Sequence, residues 1–254
     1  MKTIAISGKG GTGKTTLAAL MVRQLSDYSK GSVLAVDADA NVSLNELLGV
    51  ELRETIGVIR EEMRDSVDNL PGGMTKQRFL EYKIQTSLVE TSAFDLIAMG
   101  RPEGPGCYCY ANNLLRDILA TLSANYGYVV IDNEAGMEHL SRRTHQSIDY
   151  LLIVSDPSVR GIRTAGKISR LLKELDTRVG EKDLVLNRVQ GPVPEAVVEA
   201  IQDEGLTLIS SIPEDSWILE LDQKGLSIDH LSADASAHRA VGEILKNIGI
   251  YPEN

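Results

Sequence analysis

The chain has 254 residues, 43% of them hydrophobic, and carries 26 Lys and Arg against 36 Asp and Glu, a formal net charge of −10. That length buries a substantial core, with one domain over residues 1–254 as the simplest reading, and the negative balance makes nucleic acid and membrane poor candidate partners. The opening MKTIAISGKGG lacks a basic n-region with a long apolar stretch, and no later apolar run is of spanning length, which reads as a cytoplasmic protein.

TIAIS, the first short apolar run, reads as a buried strand. It leads into GKGGTGKTT, where Gly8, Gly13, Lys14 and Thr15 satisfy the phosphate-loop pattern G-x-x-x-x-G-K-S/T, and the helical spacing of TTLAALMVRQL follows. Glycines let such a loop fold round phosphates. The amides of Gly10, Gly11, Thr12 and Gly13 and of the helix start at Lys14, Thr15 and Thr16 would then point inward, with Lys14 on the β/γ oxygens and the Thr15 hydroxyl on Mg²⁺. Lys9 is a second lysine beyond the ordinary motif.

VLAVDADANVSLN ends a second strand with Asp37 and Asp39. Asp39 is a candidate to orient an attacking water, whereas Asp37 reads equally as an acid of that site or as a strand-end turn or cap residue. From about Leu52 to Thr91 the chain is more charged and less periodic, with NLPGG as a turn, and reads as an insertion before the strand DLIAMG.

GRPEGPGCYCYANNLLRDIL then places both cysteines, Cys107 and Cys109, in a loop at 106–110 with a helix start behind it. Residues two apart close a disulfide only through a strained ring, so reduced thiols are expected. YVVIDNEAG ends a strand with Asp132, the candidate second anchor for Mg²⁺, and with a flexible turn at Glu134 to Gly136.

YLLIVSD, the amphipathic VRGIRTAGKISRLLKEL, LVLNRV, LTLISSIP and a closing helix, ASAHRAVGEILKNIGI, complete the alternation. Strands alternating with helices imply an α/β fold, a predominantly parallel central sheet covered on both faces, whose strand ends share one ligand crevice. Asn187 and Arg188, with Pro213 and Glu214, stand at two such ends and are candidates for holding a purine; an Asn edge favours ATP over GTP.

With these residues in view, the chain resembles the deviant Walker-A ATPases, the P-loop NTPase group containing MinD, ParA and the nitrogenase iron protein. Lys9 to Thr16 meet the group's pattern K-G-G-x-G-K-S/T-S/T, and the phosphate loop, the Asp37–Asp39 pair and the turn after Asp132 follow in the group's order. The resemblance implies Mg²⁺-dependent ATP hydrolysis with Lys9, Lys14 and Asp39 in catalytic roles, and ATP or ADP as the ligand. It also implies a homodimer in which Lys9 reaches the partner's ATP.

Within the group, Cys-x-Cys before a helix and GMEHLSR after Asp132 are similar to the CooC-type accessory ATPases, which serve nickel insertion into carbon monoxide dehydrogenase or acetyl-CoA synthase. By that resemblance Cys107 and Cys109 are a metal-binding pair and one of those enzymes is the client. Glu138 and His139 would transmit movement, while neither His139 nor His145 is assigned as a ligand. The chemistry of the pair agrees: two soft thiolates from each of two chains make the four ligands that Zn²⁺ or Ni²⁺ takes.

Two rivals remain. Four thiolates equally suit a four-iron four-sulfur cluster in an electron-transfer ATPase, although both ligands here lie in one loop. A positioning ATPase of the MinD type would end in a basic amphipathic helix, where this chain reads ILKNIGIYPEN.

Overall fold

The computed structural model describes residues 1–29, 33–65, 75–101, 115, 118–119, 122–134, 148–174 and 178–251. Among these residues eight strands form one sheet in the order β3-β4-β2-β5-β1-β6-β7-β8. They are β1 (Lys2–Gly8), β2 (Val33–Ala38), β3 (Val89–Glu90), β4 (Asp95–Ala98), β5 (Tyr128–Asn133), β6 (Ile148–Ser155), β7 (Val179–Val189) and β8 (Leu208–Pro213). Only the short edge strand β3 runs antiparallel to its neighbour; the remaining pairs are parallel. The expected α/β architecture is therefore the one observed.

The described helices are α1 (Lys14–Ser29), α2 (Leu44–Leu47), α3 (Ile56–Asp65), α4 (Lys76–Ser87), α5 (Val159–Glu174), α6 (Glu195–Asp203), α7 (Ser216–Lys224) and α8 (Ser236–Asn247). Alternation along the strands sorts the apolar residues into two cores. On one face Ile4, Ile6, Val130 and Val154 pack beneath Leu17 and Met21 of α1 and Val241 and Ile244 of α8. On the other, Ala5, Ile131, Ile153 and Leu184 meet Ile162 and Ile168 of α5 and Val197 of α6. Burial on both faces explains why the central strands read as continuous apolar runs.

The segment from Leu52 to Thr91 supplies α3, α4 and β3. Lys83 of α4 bonds Glu54 at 2.9 Å and Glu62 of α3 at 2.6 Å. These ion pairs, partly shielded from water, fasten α4 to α3 and to the stretch before it, where the apolar periodicity is poor.

Order along the sheet positions the chemistry. β1 is central, with β5 on one side and β6 on the other, so the chain leaves its carboxyl end at the point where successive connections turn to opposite sides. The ends of β2, β5 and β7 open onto the same edge.

Candidate functional site

At the end of β1 the backbone turns through Gly8 and re-enters a helix at Lys14. A Cβ on Gly8 would overlap the Val154 carbonyl of β6, so the loop leaves the sheet where only hydrogen fits. Gly13 has φ +88°, and a Cβ there would overlap the Asn187 amide. Inside the loop the Thr12 hydroxyl donates to the Lys9 carbonyl at 2.8 Å and Lys14 Nζ donates to the same oxygen at 3.4 Å. Lys14 is buried; Lys9, Gly10 and Gly11 are exposed. The free N–H groups of the first turn of α1, at Thr15 and Thr16, make this end of the helix suited to an anion.

Asp132 closes β5 beside this turn and is 1% exposed. Its carboxylate accepts from the Thr15 side chain, yet its Oδ1 has no hydrogen-bond partner among the described residues. Burial, reinforced by the charges of Asp37 and Asp39 and opposed by the Thr15 bond and Lys14, pushes this carboxyl up to about 7. A buried, half-satisfied carboxylate next to a hydroxyl and a buried lysine fits a divalent cation: Thr15 and Asp132 would hold Mg²⁺, with phosphate and water completing its shell. Among the described residues no group of three or more His, Cys, Asp or Glu could hold a metal ion.

Asp37 lies opposite Asp132 in the register of β2 and β5, but its chemistry differs. It is fully buried, and its two oxygens take three backbone N–H groups, from Asp39 at 3.0 Å and from Ser43 and Leu44 at 2.9 Å each. Burial raises its pKa and those bonds pull it back only in part. Of the two readings open for Asp37, the turn and cap residue is the one its partners match: Oδ1 takes the N–H two residues on, and Oδ2 takes the N–H groups at the start of α2. Asp39 is partly exposed on the loop beyond, with Oδ1 accepting from the Asn41 backbone at 2.8 Å. Asn133, 2% exposed, donates to the Ile6 carbonyl at 2.8 Å and so pins the end of β1 to β5.

Beyond the first turn of α1 a cleft of about 200 Å³ is walled by Gly13, Thr16, Asn187, Arg188, Pro213 and Glu214. The structure thus gathers the four residues expected at a purine beside the phosphate loop. Asn187 is held in place by two bonds: its Nδ2 donates to the Thr12 carbonyl at 2.8 Å and its Oδ1 accepts from the Arg188 amide at 2.9 Å. Arg188 takes φ +59°, unusual for a residue with a side chain. Leu219 and Asp222 of α7 also line the cleft, and sequence reasoning missed both. An Asp cap before SWILELDQK signals the helix, but nothing local says which face meets the loop. Cys107, Cys109, Glu138, His139 and His145 lie outside the described residues.

Residues 3–228 match the CobQ/CobB/MinD/ParA nucleotide binding domain. The chain belongs to this family.

Among CobQ/CobB/MinD/ParA relatives, an ATP-binding protein of Methanocaldococcus jannaschii is 44% identical over 96% of this chain and 97% of its own length. The carbon monoxide dehydrogenase accessory protein CooC of Rhodospirillum rubrum is 32% identical, over 97% of each chain. Among solved structures, the septum site-determining protein MinD of Pyrococcus horikoshii complexed with Mg-ADP superposes with a TM-score of 0.69 at 21% identity, covering 98% of this chain and 96% of that one. The CobQ/CobB/MinD/ParA fold is thus shared along nearly the whole chain. No described helix is long and apolar enough to cross a membrane.

Proposed function

We propose that this chain is a Mg²⁺-dependent ATPase, a homodimer in its ATP-bound state, that hands nickel to a metalloenzyme of the cytoplasm, carbon monoxide dehydrogenase or acetyl-CoA synthase. The single observation that carries the ATPase part is the unpartnered buried Oδ1 of Asp132 beside Thr15 at the foot of the phosphate loop. Its support for the accessory part is likeness to CooC, 32% identical over nearly all of both chains.

ATP lies with its phosphates in the loop of Gly10 to Thr16 and its base in the cleft of Asn187, Arg188, Pro213 and Glu214. The Lys14 ammonium stabilises charge on the β/γ oxygens, and its burial strengthens that interaction. Mg²⁺, when bound, neutralises phosphate charge. Asp39 orients water toward the γ-phosphorus; the bond to the bridging oxygen breaks, giving ADP and phosphate. The exposed Lys9 of one chain reaches the nucleotide of the other, so that ATP joins two chains and hydrolysis parts them. The metal cargo, Ni²⁺ or adventitious Zn²⁺, sits on four thiolates, Cys107 and Cys109 from each chain.

The test has two arms. ATP turnover that requires Mg²⁺ and falls by about a hundred- to a thousandfold in Lys14→Ala supports the ATPase arm, and turnover surviving undiminished in that variant would end it. For the cargo arm, reduced apo protein titrated anaerobically with Ni²⁺ is expected to bind one ion per two chains with thiolate-to-nickel absorption, lost in Cys107→Ala. Binding that ignores the cysteines would leave an ATP switch without this cargo.

A further inference from the structure

Helix α5 follows β6 and turns its apolar side to the sheet, where Ile162, Ala165, Ile168 and Leu172 are buried. Its outer side is basic. Arg160, Arg163, Lys167 and Arg170 are all exposed, and their helical spacing gathers them into a stripe roughly 80° wide and about 15 Å long. No acid interrupts the chain between Asp156 and Glu174, in a protein whose net charge is −10. One cation of the stripe already holds a carboxylate: Arg170 pairs with Glu204 from the end of α6, which lies so close to Gly166 that a Cβ there would overlap it. Arg160, Arg163 and Lys167 have no ion-pair partner among the described residues.

This arrangement works against the helix. Like charges three and four residues apart repel, and Arg160, in the first turn, also meets the positive end of the helix dipole. Local rules broken on an exposed face, with no compensating contact, mark a functional surface. We propose that the stripe is a docking surface for an acidic segment of a partner protein, a helix carrying Asp or Glu at the same spacing, with Arg163 and Lys167 at its centre. Guanidinium groups suit carboxylates because their planar forks bond both oxygens. DNA or an anionic bilayer fits less well, since either extends beyond the stripe onto a surface whose charge is negative overall. Arg160 lies in the first turn after β6, the strand beside β1, so the docked segment ends at the edge of the sheet that carries the phosphate loop. The inference goes beyond the ATPase reading and stands without it.

The experiment titrates the full-length protein, at about 50 mM salt, into a fluorescent helical peptide whose glutamates repeat the spacing of the stripe, and into a second peptide of the same composition with the glutamates scattered round the helix. The matched peptide is expected to bind about five- to tenfold more tightly than the scattered one, and the double variant Arg163→Glu/Lys167→Glu to weaken its binding about tenfold or more. Because the change relieves repulsion, the Tm of that variant should hold or rise by up to about 4 °C. Equal or undetectable binding of the two peptides would reduce the stripe to diffuse charge. Tighter binding of duplex DNA or of phosphatidylserine vesicles than of the matched peptide would assign it to another class of partner, and a fall in Tm would give the cations a role in the fold. Each of these outcomes overturns the docking surface.

Discussion

The side-chain amide of Asn187 donates to the carbonyl of Thr12 at 2.8 Å, joining β7 to the phosphate loop across 175 positions of sequence. A residue lining the cleft proposed for the base thereby fixes the shape of the phosphate loop. Replacing Asn187 with Leu removes the bond and leaves a buried carbonyl unpaired, at a cost of about 1 to 3 kcal/mol. Calorimetry should show ADP affinity lowered about tenfold even when the base is removed from the ligand, as with inorganic triphosphate. Loss confined to ligands with a base would mean that Asn187 serves the cleft alone.

Gly13 packs against that same amide with no room for a methyl group. Gly13→Ala must therefore displace Asn187 and abandon φ +88°. Expected are a stability loss of about 1 to 3 kcal/mol in urea melts and nucleotide binding reduced at least as far as in Asn187→Leu. The double variant should be little worse than either single one, because the two changes break one contact.

For Asp132 the pH sign follows from burial. Its folded pKa, about 7, lies above the ordinary 3.8, so its contribution to the metal-free fold is fully present below about 3.8 and is lost as pH rises through 7. Asp132→Asn should stabilise the metal-free chain by about 1 to 3 kcal/mol at pH 8, with a smaller gain at pH 5. The same variant should lose Mg²⁺-dependent nucleotide binding. A variant less stable than wild type at pH 8 would contradict an unpaired buried charge.

Asp215 has the opposite sign. Burial would raise its carboxyl, but hydrogen bonds from Ala237 N–H, the Ser236 hydroxyl and Trp217 N–H outweigh it and bring the pKa below 3.8. The bonds run 2.9, 2.7 and 2.9 Å and cap α7 and α8 together. Its contribution is complete above the unfolded value near 3.8 and disappears as pH falls through the lower folded value. Asp215→Ala should cost about 2 kcal/mol at pH 7, with the gap to wild type narrowing at pH 3. A gap that stays constant would assign the loss to packing.

Local pattern made the phosphate loop and the parallel sheet legible: Gly8 to Thr16 form one contiguous motif, and strands buried on both faces announce themselves as apolar runs. The nearness of Asn187 and Pro213 to that loop could be anticipated because both stand near the carboxyl ends of strands of one parallel sheet. Asp37 could not be settled in the same way, since an Asp at a strand end reads alike whether it faces a cation or three N–H groups; only the path of residues 39–44 decides. Leu219 and Asp222 escaped because their relation to the cleft is set by how α7 packs. Val42 takes φ +45°, which runs against its own β-branched side chain, so no propensity could have foretold it.

The strand order carries one more consequence. β5 lies between β2 and β1, so Asp39, Asp132 and the phosphate loop hang from three adjacent ribbons on one half of the sheet, while Asn187 and Pro213 hang from β7 and β8 on the other. On the proposed reading, a nucleotide laid across the edge is identified by one half and acted upon by the other. Lineages or engineers could retune which base is accepted by rebuilding the outer two ribbons, leaving the timing of the switch almost untouched.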